Sequence, residues 1–179
     1  MEIKKITLPL NDNTIESLHA GDNVLLTGYI YTGRDAAHKR LCKLIEEGEE
    51  LPFNIQNQTI YYVGPAPAKP GYVIGPAGPT TSYRMDAYTI PLLEKGLRGM
   101  IGKGLRSSEV INGIIKHKAI YFAAVGGAAA LISKSIKSRE VICYEDLGTE
   151  SIQKLYVEEF PVIVVIDSNG NDLYDKKNY

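Results

Sequence analysis

The sequence predicts an α/β fold in which a mixed sheet is flanked by helices. Runs of β-branched and aromatic residues alternate along the chain with segments whose apolar residues recur at helical spacing. Near the C-terminus, two apolar runs on either side of Asn169-Gly170-Asn171 indicate antiparallel pairing. With 179 residues, of which 44% are hydrophobic, the chain suits a single domain over residues 1–179.

The predicted strands are short runs rich in Val, Ile and Tyr, residues that favour the buried positions of a sheet. In chain order they are residues 23–31 (NVLLTGYIY), 59–65 (TIYYVGP), 98–104 (RGMIGKG), 119–125 (AIYFAAV), 139–147 (REVICYEDL) and 160–166 (FPVIVVI), the last followed by a turn and a short returning strand. Asp167 is expected to support that turn.

The predicted helices lie between these strands. The first begins at Asp35 as N-cap and stops at Gly48. The second ends at Gly96 and contains Pro91, which either kinks it or marks its true start. The remaining segments are a serine-capped helix over residues 107–118, a short helix over 126–136 and an extended proline-rich connector over 66–76.

Composition argues against several classes of function. The formal net charge of −1 provides no basic field for nucleic acid, and no apolar run is long enough to cross a membrane. The N-terminus shows no signal-peptide pattern, so a cytoplasmic location is expected. Cys42 and Cys143 stand far apart without a CxxC partner, which argues against a disulfide framework and a self-contained metal site. Neither a GxGxxG nor a Walker signature for nucleotides is present.

Three loops that follow predicted strands combine charged residues with glycines, namely residues 32–40, 75–86 and 101–108. Ligands of open α/β sheets bind outside the carboxyl ends of strands, so these loops can converge there. Their cations are Arg34, Arg84, Lys103 and Arg106. Because arginine forks match carboxylates, the residues by themselves predict a domain that binds a small anion. The alternative is an ordinary capped helix start at Arg34-Asp35 and a simple helix cap at Thr80–Ser82.

Five motifs occur in a defined order: GRDAAHKRL (33–41), GPTTSYRMD (78–86), MIGKG (100–104), YFAAVGGAAAL (121–131) and FPVIVVIDSNGNDLY (160–174). Together they resemble the β-subunit or C-terminal family of class I iron–sulfur hydro-lyases, the fumarate hydratases and L(+)-tartrate dehydratases. The resemblance implies a swivelling β/β/α domain. It also implies a partner α subunit that holds a [4Fe–4S] cluster through three cysteines, in an αβ or α2β2 assembly. The two lone cysteines of this chain cannot supply such a set.

The resemblance also assigns roles to site residues. Arg34, Arg84 and Lys103 match the cations that hold the dicarboxylate substrate, and Thr80 matches the candidate catalytic base. A threonine hydroxyl needs an activating group, for which a carboxylate of the α subunit is expected. The remaining substrate-binding candidates are Thr81, His38, which is expected to orient Arg34, and Arg106. No metal ligand is expected in this chain.

The implied activity is the reversible hydration of fumarate to L-malate. The alternative substrate is L(+)-tartrate, which would be dehydrated to oxaloacetate. Some fumarases of this class have a glycine directly before the arginine of the RMD motif, where this chain has Tyr83, so the residues leave both substrates open. A non-enzymatic alternative is an anion-binding or assembly module. The joint presence of Arg34, Arg84, Lys103 and Thr80 favours the enzyme.

Overall fold

A computed structural model of the chain describes residues 2–125 and 129–175. It confirms an α/β fold with a mixed sheet and flanking helices. The elements are β1 (Ile3–Thr7), α1 (Asp12–Ser17), β2 (Asn23–Thr32), α2 (Asp35–Glu46), β3 (Thr59–Tyr61), α3 (Asp86–Glu94), β4 (Gly99–Gly102), α4 (Ser108–His117), β5 (Ile120–Ala124), α5 (Ala129–Ser135), β6 (Ile136–Cys143) and β7 (Ile152–Ile166). Two 3₁₀ turns cover Ser82–Met85 and Glu145–Glu150.

The seven strands form one sheet that closes on itself. Strands β1 to β5 are parallel to their neighbours in the order β1-β2-β3-β4-β5, and β7 runs antiparallel to β2, β5 and β6. Because the 15-residue β7 pairs with both β2 and β5, strands β2, β3, β4, β5 and β7 complete a closed circuit of hydrogen-bonded strands. Closure leaves these strands without an unpaired edge.

Side chains alternate between the two faces of the strands and build two cores. One core contains Leu26, Phe122 and Phe160 together with residues of α1 and α5. The opposite core contains Tyr62 and Tyr121 and packs against α2, α3 and α4. This alternation, with apolar residues on both faces, explains why the strands are almost continuously hydrophobic in sequence.

The helix starts differ from the prediction at α2 and agree with it at α4. Arg34, rather than Asp35, occupies the N-cap position of α2, and Asp35 is its first helical residue. The Asp35 carboxylate contacts Arg84 instead of capping the helix. Pro91 lies inside α3. Ser107 caps α4 as predicted, accepting a hydrogen bond from Val110 N at 3.3 Å.

Several elements were missed or misplaced for tertiary reasons. β1 and α1 were not predicted, because β1 is a lysine-containing edge strand with only one half-buried face. Residues 145–147, expected to finish a strand, instead begin the 3₁₀ turn Glu145–Glu150. β7 starts at Ile152, where pairing with β2 and β6 extends it. The returning strand after Gly170 is reduced to one bridge between Ile166 and Asp172. The predicted start of the helix at 126–128 lies outside the described residues.

The turn after β7 is organised by Asp167, as predicted. Its Oδ1 accepts hydrogen bonds from Asn169 N at 3.0 Å and Asn171 N at 3.1 Å. Its Oδ2 accepts one from Ala20 N at 3.1 Å, which ties this turn to the turn that precedes β2. Over residues 2–125 and 129–175, no helix has the length and apolar character needed to cross a membrane.

Candidate functional site

The three charged loops meet at the carboxyl ends of β2, β3 and β4, where backbone hydrogen bonds join them. Gly33 N donates to Tyr61 O at 3.1 Å, and Thr80 N donates to Tyr62 O at 2.7 Å. Next to them, Ser82 N donates to Lys103 O at 2.9 Å, and Thr81 and Lys103 form a parallel bridge. The convergence expected from strand order is therefore present, and main-chain contacts hold it in place.

Arg34 lies at the start of α2 and extends across Gly64. A Cβ atom at position 64 would stand 3.1 Å from Arg34 Cδ and 3.3 Å from its Nη1, so glycine leaves the space that the arginine occupies. Arg34 Nε is 3.6 Å from Glu150 Oε1, an ion pair outside ordinary hydrogen-bond distance. That Nε is buried and has no hydrogen-bond partner among the described residues. With its side chain 28% exposed, the guanidinium has donors to offer to a ligand.

His38 supports Arg34 through the main chain. Its Nδ1 lies 2.8 Å from Arg34 O, and its side chain is packed edge-on against Tyr62. Burial, with a further contribution from the nearby charge of Arg106, lowers the pKa of His38 to about 4. The ring is therefore neutral near pH 7, and the hydrogen on Nδ1 is the one donated to the carbonyl. His38 Nε2 is buried without a partner among residues 2–125 and 129–175.

Arg84 is carried at the end of the 3₁₀ turn Ser82–Met85 and points to the start of α2. Its Nη2 lies 2.5 Å from Asp35 Oδ2, and its side chain is 42% exposed. The other oxygen of Asp35 is buried and has no hydrogen-bond partner in the part of the chain that the structure describes. The ion pair therefore connects the two arginine motifs while leaving much of the Arg84 guanidinium accessible.

Further polar groups at the same edge of the sheet belong to Lys103, Thr80 and Thr81. Lys103 is exposed, and within the described ranges its ammonium group forms no ion pair. Thr80 and Thr81 are half-buried, and neither hydroxyl makes a hydrogen bond to a described residue. The backbone of Thr80 is fixed by its bond to Tyr62 O and that of Thr81 by its bridge to Lys103, so both hydroxyls are held in position without a partner in the part of the chain that the structure describes.

A buried chain of hydrogen bonds sets the position of the Lys103 loop. Ser82 Oγ accepts from Lys103 N at 3.0 Å, and Tyr121 Oη lies 2.8 Å from Ser82 Oγ and 2.9 Å from Gly104 O. Tyr121 has one phenolic hydrogen, so Ser82 donates to Tyr121 while Tyr121 donates to Gly104 O. A Cβ at Gly102 would lie 2.0 Å from Ser82 Oγ. Glycine at position 102 therefore leaves the space that the Ser82 hydroxyl occupies.

Arg106, the fourth cation of the predicted set, lies inside the protein, apart from the exposed cations. Its side chain is fully buried, with Nε donating to Asp86 Oδ1 at 2.6 Å. Its Nη2 donates to Thr89 Oγ1 at 2.9 Å and to Tyr62 Oη at 3.2 Å. Since these protein groups and the sulfur of Met100 engage the guanidinium, a carboxylate ligand would have to displace them.

The sequence interpretation overlooked the groups that hold the cations in place. These are Asp35, Ser82, Asp86, Tyr121 and Glu150. A usable signal existed for the two aspartates, because each lies within two residues of a predicted ligand-binding arginine. Tyr121 and Glu150 are distant in sequence from the Lys103 loop and from Arg34, respectively, and only the fold brings them near.

The described residues do not provide a site for an iron–sulfur cluster. They contain no group of three or more His, Cys, Asp or Glu side chains suited to holding a metal ion. Cys42 Sγ donates to Tyr88 O at 3.4 Å, and Cys143 ends β6. Burial raises the pKa of both thiols to about 11, so both are protonated near neutral pH.

The sequence matches the family model described as Fumarase C-terminus over residues 1–177. It is 44% identical over 154 residues to a protein named fumarate hydratase class I, anaerobic, of Escherichia coli K12, covering 84% of this chain and 28% of the relative. It is 39% identical over 159 residues to fumarate hydratase 2 of Leishmania major, covering 87% of this chain and 28% of the relative. The chain thus spans about 28% of the length of these relatives.

A relative of similar length comes from Methanocaldococcus jannaschii. Its name assigns it provisionally as L(+)-tartrate dehydratase subunit beta. The two sequences are 34% identical over 175 residues, which cover 94% of this chain and 90% of the relative. The matching unit therefore occurs both as a portion of longer proteins and as most of a shorter one.

Proposed function

The chain belongs to the fumarase C-terminus family, and we propose that it is the β subunit of a two-subunit, [4Fe–4S]-dependent hydro-lyase that interconverts fumarate and L-malate. The observation that carries the proposal is the meeting of Arg34, Arg84, Lys103 and Thr80 at one edge of the sheet. In the proposal the whole of residues 1–179 acts as one swivelling β/β/α catalytic domain in the cytoplasm.

The three accessible cations suit a dicarboxylate. Arg34 and Arg84 each present guanidinium N–H groups that can pair with a carboxylate in two parallel hydrogen bonds, and Lys103 adds a point charge beside them. Their roles are to hold both ends of the substrate and to stabilise the negative charge that develops on a carboxylate when the adjacent carbon loses its proton. Thr81 contributes a hydroxyl at the rim of the same site.

Thr80 is assigned the proton transfer. In the dehydration direction, malate loses a proton from C3 and hydroxide from C2, giving fumarate and water without net oxidation. The Thr80 hydroxyl has no competing hydrogen bond among the described residues, so it is available to the C3 proton. A threonine hydroxyl is a weak base. A carboxylate of the partner subunit is therefore required to accept the hydroxyl proton of Thr80 as Thr80 takes the proton from C3.

His38 and Arg106 act through other residues in this proposal. A neutral, buried His38 that donates to the Arg34 carbonyl orients the arginine and does not touch the substrate. Arg106 has its guanidinium occupied inside the protein and is removed from the substrate-binding set.

The cluster is assigned to a partner α subunit, since the described residues of this chain do not fit it. Two exposed apolar side chains, Tyr83 and Leu105, are next to Arg84 and near Lys103. We assign this rim to the contact with the α subunit, in an αβ or α2β2 assembly.

L(+)-tartrate is the second candidate substrate, favoured by the name of the similarly sized M. jannaschii relative. The residue that bears on the choice is Tyr83, whose side chain is 64% exposed directly before Arg84. Replacing Tyr83 with glycine is expected to change the ratio of kcat/KM for fumarate to that for tartrate. Its exposure makes the stability cost small.

The test is to co-express the chain with an α-type partner, purify the complex without oxygen and assay fumarate, malate and tartrate. We expect hydro-lyase activity that Arg84→Ala abolishes. The matched control is Arg98→Ala, which removes an arginine that precedes β4, at the edge of the sheet opposite the site. A folded, cluster-loaded complex that turns over none of the three acids would instead support the anion-binding or assembly module.

A further inference from the structure

Asp86 and Arg106 form the most buried ion pair of the described residues. The side chain of Arg106 is 0% exposed and that of Asp86 is 13% exposed, with Nε and Oδ1 2.6 Å apart. In sequence, Asp86 follows Arg84 by two residues, and Arg106 follows Lys103 by three. The pair therefore joins the two segments that carry these exposed cations.

Both carboxylate oxygens of Asp86 accept hydrogen bonds from the segment that follows Lys103. One accepts from Arg106, and the other accepts from Ser107 N at 2.7 Å. The latter also ties the start of α4 to the first turn of α3. Ser82 and Tyr121 hold Lys103 N and Gly104 O at the other end of the loop. The Lys103 loop is consequently anchored at both of its ends.

The environment of Arg106 leaves no free face for a ligand. Its guanidinium carbon lies 5.3 Å from the ring centre of Tyr62 and 4.8 Å from that of Tyr121. Of its five N–H groups, four have an acceptor in Asp86, Thr89, Tyr62 or Met100. Because the charge of Arg106 is deeply buried and has protein partners on several sides, its role is to position the residues around it.

We infer that Asp86 and Arg106 are a positioning pair that sets the spacing between Arg84 and Lys103, and thereby the selectivity for dicarboxylates over monocarboxylates. The inference rests on the proposed function. A dicarboxylate gains from two cations only when their separation matches that of its two carboxylates. A displacement of about 1 Å can cost as much as about a hundredfold in rate. A monocarboxylate needs one cation and is indifferent to the spacing.

The test uses the complex of this chain with its cluster-bearing partner, purified without oxygen. Two variants remove the pair: Arg106→Met, which replaces the guanidinium with an apolar chain, and the isosteric Asp86→Asn, which keeps an oxygen for Ser107 N. Arg98→Met is the matched control, because it removes the Arg98–Asp12 pair away from the site. Inhibition constants are measured for succinate and for butyrate, a four-carbon diacid and monoacid. The dissociation constant of succinate is also measured by calorimetry.

We expect both variants to weaken succinate binding about tenfold or more while leaving the butyrate constant within about twofold, and the control to change neither. Should Arg106→Met fail to fold, Asp86→Asn decides the question. The inference is overturned if the variants lower the active fraction but keep the ratio of the two constants, since the pair would then be merely structural. A wild-type complex without hydro-lyase activity or succinate binding would overturn the proposed function instead.

Discussion

Arg84 Nη2 lies 2.5 Å from Asp35 Oδ2, so the arginine of the RMD motif is held by the aspartate that directly follows Arg34. This single contact joins the loop before α3 to the first residue of α2. It also leaves the rest of the Arg84 guanidinium accessible, with the side chain 42% exposed. One carboxylate of the protein thus orients an arginine whose remaining donors can receive a carboxylate of a ligand.

Removing this contact is expected to affect binding more than folding. In the complex, Asp35→Ala should raise KM for the dicarboxylate about threefold to tenfold, because Arg84 would sample more orientations. The free energy of unfolding should fall by no more than about 1 kcal/mol, since the pair is partly exposed. Asp35→Asn retains an oxygen for Arg84 and should show a smaller rise. Asp146→Ala, which breaks the exposed Arg40–Asp146 pair, is the control; an equal rise in KM there would contradict the role of Asp35.

The Thr80 hydroxyl is expected to serve the chemistry and not the fold. Thr80→Val should lower kcat by about 10²- to 10⁴-fold, the usual contribution of a positioned proton-transfer group. The unfolding midpoint should be unchanged within error, because the hydroxyl has no hydrogen bond to a described residue. Thr80→Ser should retain most of the activity. Thr81→Val is the neighbouring control, and a larger loss of kcat there would transfer the assignment to Thr81.

His38 should make stability depend on pH on the acid side. Its folded-state pKa of about 4 lies below the ordinary value of 6.5. The unfolded chain therefore takes up the proton first as the pH falls. Stability should decline between about pH 6.5 and pH 4, by about 2–4 kcal/mol from this group. Chemical denaturation of the purified chain at a series of pH values measures the decline.

The variant that isolates this contribution is His38→Asn, since an asparagine amide can replace the Nδ1 hydrogen bond to Arg34 O without titrating. The slope of stability against pH should be shallower for His38→Asn than for the wild type. Parallel curves for wild type and His38→Asn would contradict the account of His38.

Gly102 should be intolerant of a side chain. An added Cβ would lie 2.0 Å from Ser82 Oγ and 2.8 Å from Tyr62 Cδ2. Gly102→Ala is therefore expected to lower the free energy of unfolding by about 1–3 kcal/mol. Combining it with Ser82→Ala should recover part of the loss, which a double-mutant cycle measures. Gly78→Ala adds its methyl group to open space and should be nearly neutral; comparable losses at both glycines would argue against the steric explanation.

Local patterns were sufficient for most elements of the fold. The apolar runs of β2, β4 and β5 and the amphipathic spacing of α2 and α4 predicted these elements to within a few residues. β1 escaped prediction because its adjacent lysines, Lys4 and Lys5, are typical of a surface segment, and it becomes a strand only beside β2. The first half of β7 also escaped prediction, because it is a strand through its pairing with β2 and β6.

For the site, the sequence by itself determined the candidates for the proposed chemistry: the cations Arg34, Arg84 and Lys103 and the hydroxyl of Thr80 lie in short motifs beside glycines and strand ends. Only the tertiary structure decided which cation is accessible. Arg34 and Arg106 are both arginines next to polar loops, yet Arg34 reaches the edge of the sheet while Arg106 is enclosed by Asp86, Tyr62 and Tyr121. Burial depends on partners that are distant in the chain, and no local pattern contains that information.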